Sequence, residues 1–240
     1  GHTSCVFGIA HLPCGKRIIT CSKDGSLRLW DLGSGAQVGG EWRDEGDEAG
    51  VRTMALSPNG QTLASGSNDG TVRLWDVERG IVIVKLTGHF KSVTSVCWSP
   101  DGERVVSGGF DGTARVWDVQ SGEPVHGLSS TKTGHNHVHT VSYSPEATMI
   151  ATCGSNNGIK IGDARTCKWL STIIKNEIEI YWSLTWTSDE KKLIVASGGI
   201  ISIRIFNTAT WQQITVLEGH TDTIYSITLF PNDRLLASTS

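Results

Sequence analysis

The chain has 240 residues, more than most single domains hold but compatible with one large all-β domain. With 38% hydrophobic and 19% charged residues it has a soluble globular balance, and a net charge of −3 gives no electrostatic footprint for nucleic acid. The longest clean apolar run, Ile81–Val84, is far too short to span a bilayer, so no membrane partner is expected.

No charged-then-apolar leader opens the chain, and a start on Gly1 is what a segment of a longer protein would show. The cysteines Cys5, Cys14, Cys21, Cys97, Cys153 and Cys167 form no CxxC pair. Scattered in this way they predict free, inert thiols and a reducing intracellular compartment, cytoplasm or nucleus.

In chain order, a turn at Pro13-Cys14-Gly15 precedes the β-branched run Arg17–Thr20, a second turn at Asp24-Gly25, and "LRLWD". The same series returns with Pro58-Asn59-Gly60, Asp69-Gly70 and "VRLWD", and again with Pro100-Asp101-Gly102, Arg104–Ser107, Asp111-Gly112 and "ARVWD". Asp-Gly between apolar stretches predicts a tight hairpin, because both residues tolerate positive φ. Short strands with turns at this density predict an all-β fold. The first turn falls at Pro13, Pro58, Pro100, Pro145, Ser188 and Pro231, in steps of 45, 42, 45, 43 and 43. Gly-His recurs at 1–2, 88–89, 134–135 and 219–220, and Trp-Asp at 30–31, 75–76 and 117–118.

A period near 40–45 residues with Gly-His and Trp-Asp in phase resembles the WD40 family along the whole chain. The resemblance implies a β-propeller of four-stranded blades, roughly 1–45, 46–87, 88–130, 131–174 and 175–217, with a partial blade at 218–240. The first three repeats also resemble the arrays of fungal NACHT-type signalling proteins, where the propeller is a sensing module.

The family's blades carry a buried hydrogen-bond chain of His, Ser or Thr, Asp and Trp. By phase it falls on His2, Thr20, Asp24 and Trp30 in the first blade and on His89, Ser107, Asp111 and Trp117 in the third. The second blade has Ser65, Asp69 and Trp75, with Asp47 in the His place. The fourth keeps His135 and Thr152 but has Asn156 and Gly162 for Asp and Trp. The fifth has Ala196, Ile200 and Phe206, which leaves no place for a polar chain. The sixth has His220 and Ser238. These residue types also make up a Ser/His/Asp triad, but two complete copies among graded ones point to a structural network rather than a catalytic site. No enzyme activity and no cofactor are expected.

Function is expected on the rim, where the family's flatter face docks partners at the start of each inner strand and just before each turn Asp. There the chain places Phe7, Lys23, Arg52, Phe110, His137, His139, Trp182 and Tyr225. Aromatic and arginine side chains are the types that carry binding energy, so a protein or peptide partner is expected. The stretch "HNHVH" alternates His135, His137 and His139, which on a regular strand would share one side. It offers an alternative, a metal-binding or enzymatic propeller, although no fourth ligand is near in sequence. The histidines could instead make binding pH-sensitive. "WDVERG" and "IGDAR" match a Trp-Asp-x-Arg adaptor signature too poorly to imply it, and "GEWRDEGDEAG" reads as a solvated acidic linker. With only two strands predicted after His220, the ring is expected to be unsealed, and the apolar edge at 223–240 is a possible site of self-association.

Overall fold

The structure, a computed structural model, describes residues 1–44, 49–125, 131–166, 168–174 and 179–240, with the backbone alone at 131 and 132. Asp47 and Cys167 lie outside the described residues. Among the described residues there is no helix; the chain is all-β.

Five four-stranded sheets follow one another along the sequence, each an antiparallel up-and-down meander. The first is built from β1 (Val6–His11), β2 (Arg17–Ser22), β3 (Leu27–Asp31) and β4 (Gln37–Trp42). The second has β5 (Val51–Leu56), β6 (Thr62–Ser67), β7 (Val72–Asp76) and β8 (Ile81–Leu86), and the third β9 (Val93–Trp98), β10 (Arg104–Gly109), β11 (Thr113–Asp118) and β12 (Thr131–Lys132). The fourth has β13 (His137–Tyr143), β14 (Met149–Ser155), β15 (Ile159–Asp163) and β16 (Trp169–Ile173). The fifth has β17 (Tyr181–Trp186), β18 (Lys192–Ser197), β19 (Ser202–Asn207) and β20 (Gln213–Leu217). A two-stranded sheet, β21 (Ser226–Leu229) with β22 (Leu236–Thr239), ends the series. The chain divides into two compact units, residues 1–111 with 115–129 and residues 112–114 with 130–240.

Successive side chains on a strand point to opposite faces, and here both faces are apolar. On β6, Leu63 packs with Ile19, Leu27 and Trp42 of the first sheet, while its neighbour Ala64 packs with Val93, Val105 and Trp117 of the third. On β18, Leu193 and Val195 meet Ala151 and Ile161 of the fourth sheet, while Ile194 and Ala196 meet Ile224 and Ile227. The second and fifth sheets therefore each bury one face against the sheet before and the other against the sheet after.

The Asp-Gly turns close the middle hairpins with Gly25, Gly70 and Gly112 at φ of 82°, 85° and 73°. Gly70 is needed for space as well as conformation, since a Cβ there would stand 2.4 Å from the His89 carbonyl oxygen. The matching turn of the fifth sheet has no such glycine, and Ile201 sits at φ 50°. A β-branched residue in the left-handed region is strained by its own Cβ.

Inside the third sheet a polar chain runs without a gap. The Trp117 indole N–H donates to Ser107 Oγ at 2.8 Å, Ser107 Oγ lies 2.8 Å from His89 Nε2, and His89 Nδ1 lies 2.8 Å from Asp111 Oδ2. The directions are mutually consistent: the hydroxyl accepts from the indole and donates to Nε2, which leaves the proton on Nδ1 for the carboxylate. The first sheet repeats it, with Trp30 to Thr20 at 2.8 Å, Thr20 to His2 at 2.7 Å and His2 to Asp24 at 3.0 Å. This is the order of a catalytic triad, but Ser107 and the side chains of His89 and Asp111 are fully buried, and the hydroxyl is already engaged by an indole.

The other sheets reach satisfaction differently. In the second, Trp75 donates to Ser65 at 2.8 Å, and the buried Arg73 bonds Ser67 at 3.0 Å, Asp69 at 2.7 Å and Asp44 at 2.8 Å. In the fourth, His135 Nε2 lies 3.3 Å from Thr152 Oγ1, and Nδ1 donates to the backbone oxygen of Asn156 at 2.6 Å. The expectation that the fifth sheet has no polar chain is incorrect. Its buried Glu179 accepts from the Tyr181 hydroxyl and from Arg204 at 3.2 Å, a set drawn from different strand positions than the phase rule inspects. In the final sheet His220 lies 2.7 Å from Ser238.

Two consequences for stability are measurable by denaturant unfolding. Ser107→Ala removes the acceptor of one buried donor and the partner of a buried imidazole, so a loss of about 1–3 kcal/mol is expected; an unchanged midpoint would mean that the chain carries no net stability. Ile201→Gly should raise stability by about 0.5–1 kcal/mol, because relief of left-handed strain exceeds the added freedom of glycine in the unfolded chain. A lower midpoint would show that the turn is not strained at Ile201.

Candidate partner-binding face

The inner strand of each four-stranded sheet carries one residue too many near its start. In β1 Val6 pairs with Ser22 and Gly8 with Cys21, so Phe7 is the extra residue of a β-bulge. The same register shift isolates Arg52 in β5, Thr94 in β9, His139 in β13 and Trp182 in β17. A bulge removes one residue from the ladder and re-aims its side chain. Beside it, a recurrent backbone bond fixes the residue before the turn: Lys23 N–H to Cys5 O at 2.8 Å, Asn68 to Gly50 at 2.9 Å, and Phe110 to Ser92 at 2.9 Å. The positions to which the family resemblance assigns docking are thus set apart by a repeated irregularity of the ladder.

In the first unit the structure brings Phe7, Arg52 and Phe110 together. The Arg52 guanidinium lies 5.8 Å from the Phe7 ring centre and 5.3 Å from that of Phe110, a cation–π contact with each ring. Its Nε donates to Asn68 Oδ1. Phe7 is 45% exposed, Arg52 and Phe110 are half-buried, and Lys23 is exposed. Asn68, which stands just before the turn Asp69, orients the arginine.

In the second unit the rings of His139, Trp182 and Tyr225 stack in series, with centres 4.2 Å and then 5.5 Å apart. The indole packs close to Gly198, where a Cβ would come within 2.7 Å of Nε1. Tyr225 is 57% exposed, and His137 is exposed. His139 Nε2 lies 3.0 Å from Ser155 Oγ. The bulge at His139 breaks the alternation that would have put three histidines on one side, and His135, ahead of β13, turns into the core. Among the described residues no group of three His, Cys, Asp or Glu side chains is placed to hold a metal ion. No helix of the described residues is long and apolar enough to cross a membrane.

Burial, with His137 and His135 nearby, pushes the His139 pKa from 6.5 down to about 4. In the unfolded chain the ring takes a proton near pH 6.5, whereas in the folded chain it does so only near 4. The stability this represents is complete above pH 6.5 and is lost as pH falls toward 4. His139→Gln should flatten the fall in unfolding midpoint across that window relative to the parent chain. Parallel curves would show that His139 does not titrate there.

The WD40 profile (WD domain, G-beta repeat) matches residues 1–31, 42–76, 80–118, 126–163 and 211–240. No curated protein matched the chain. The longest unmatched stretch, 164–210, holds β16 to β19, where Ala196 and Phe206 occupy the network positions. The matches cover well over half of the sequence, and the chain belongs to the WD40-repeat family.

Proposed function

We propose that the chain is a non-catalytic platform for protein–protein interaction, with the bulge-borne side chains of its inner strands as the contact surface. WD40 repeats generally serve as interaction scaffolds. The observation that carries the reading is that aromatic and arginine side chains stand at four of the five bulges or join the clusters there, although the ladder needs nothing from them. Tyrosine, tryptophan and arginine supply most of the energy of protein interfaces. The triad-like set does not compete with this reading, since Ser107 has no route to a substrate. The histidine alternative is not favoured, since the His135 and His139 rings are both engaged by their own sheet.

Partner capture is the test. Phe110→Ala should leave the melting temperature within a few degrees of the parent, as surface substitutions do, and lower the yield of captured partner. Trp182→Ala should lower capture as well, with some loss of stability from the emptied contact on Gly198. Capture that survives both substitutions at parental levels would remove this face from the function.

A further inference from the structure

We propose that Arg52 is a preset receptor for carboxylate, and that the protein partner presents an acidic peptide segment to it. This inference rests on the interaction-platform reading and names the chemistry of the partner at one of its sites.

The first support is how the guanidinium is held. The Phe7 and Phe110 ring centres lie 5.8 and 5.3 Å from it, and Asn68 takes the Nε proton. The anchor is itself anchored, since the Ser92 hydroxyl lies 3.3 Å from both Asn68 O and Asn68 Oδ1. With Nε engaged, the guanidinium still presents the edge on which its Nη protons project in the plane. That edge is the geometry that meets a carboxylate with two parallel hydrogen bonds.

The second support is charge. Arg28, Arg73 and Arg204 each pair with a carboxylate of their own sheet or the loop beside it. Arg52 has no ion pair among the described residues. Neither have Lys23 and Lys91, both exposed. The Lys23 backbone oxygen would lie 2.8 Å from a Cβ on Gly50, two residues before Arg52. The Lys91 oxygen would lie 3.1 Å from one on Gly70, two residues after Asn68. Lys23 and Lys91, whose backbone lies near Gly50 and Gly70, are thus exposed cations in a chain of net charge −3. Among the described residues no carboxylate pairs with this half-buried arginine, and an aliphatic side chain would pack as well beside the two rings. Because the side chain is already immobilised, little rotamer freedom remains to be lost when a carboxylate arrives.

The test uses the whole chain and fluorescence anisotropy. The probe is a fluorescein-labelled decapeptide of alternating Glu and Gly with an amidated C terminus; its counterpart has Gln for Glu. The glutamate peptide should bind saturably and weaken with added salt, and the glutamine peptide should bind at least about tenfold more weakly, as loss of a charge-assisted pair predicts. Arg52→Lys keeps the charge but not the fork, and should also lose about tenfold. Lys23→Glu, on an exposed side chain, should weaken binding by a smaller factor, and it keeps the test valid should the Arg52 variant fail to fold. The inference is overturned if the two peptides bind alike, if Arg52→Lys binds as the parent does, or if a phosphoserine peptide binds where the glutamate peptide does not. Partner capture that still depends on Trp182 while no acidic peptide binds would overturn the carboxylate assignment and leave the platform standing. Loss of both would remove both.

Discussion

A sheet with apolar side chains on both faces cannot be satisfied by one partner, and every larger feature of this chain follows from that. Leu63 and Ala64 are adjacent on β6 and belong to different cores. Leu193 and Ile194 on β18 do the same. No four-stranded unit of this kind is stable alone, so the sequence must supply another one at each side. The period near 43 residues is the length of chain that four short strands and their turns consume.

Close stacking then constrains the turns. Where the third sheet's leading loop meets the second sheet, the His89 carbonyl comes so near Gly70 that no side chain fits. The imidazole that follows is enclosed with its serine and aspartate, and a buried polar chain must be complete to be harmless. Tryptophan provides one end, since its single N–H needs one acceptor and its rings fill the inter-sheet core. The motif thus combines packing with the satisfaction of a donor, which accounts for its recurrence in three adjacent sheets as Trp30, Trp75 and Trp117.

The repeat, the all-β class and the hairpin turns were legible because each rests on local chemistry: Asp-Gly for positive φ, β-branched runs for strands, a fixed spacing for the whole. The substitutes within the cores were not. Arg73 is one of a series of basic residues, with Arg28, Arg115, Lys160 and Arg204, at the same place in the third strand of each sheet. That series was visible in the sequence, yet its partners Asp44 and Glu179 lie in other segments, brought near only by folding. The bulges were illegible for a related reason. Their signal is a mismatch between two strands, and no single strand records it. Phase pointed to Phe7, Arg52, Phe110 and Trp182 through resemblance, but the approach of Phe7 and Phe110 to one guanidinium, and the room that Gly198 leaves for an indole, arise only on folding.

Core and face also differ in what they tolerate. The fifth sheet lacks the His–Ser–Asp–Trp set and its first three strands lie in the longest stretch that the family profile does not match, yet it buries Leu193, Val195 and Phe206 as fully as its neighbours bury their own side chains. Its Glu179–Arg204–Tyr181 group shows that the core requires satisfied polar atoms, not one particular set of them. The bulged residue is under still less constraint, because it contributes nothing to the ladder; phenylalanine, arginine, threonine, histidine and tryptophan all occupy it here. Stacking fixes the sheets, the polar groups fix each sheet internally, and the residue released from pairing is the one whose chemistry can change without disturbing either. A repeat built in this way separates the side chains that hold the fold from those available to a partner.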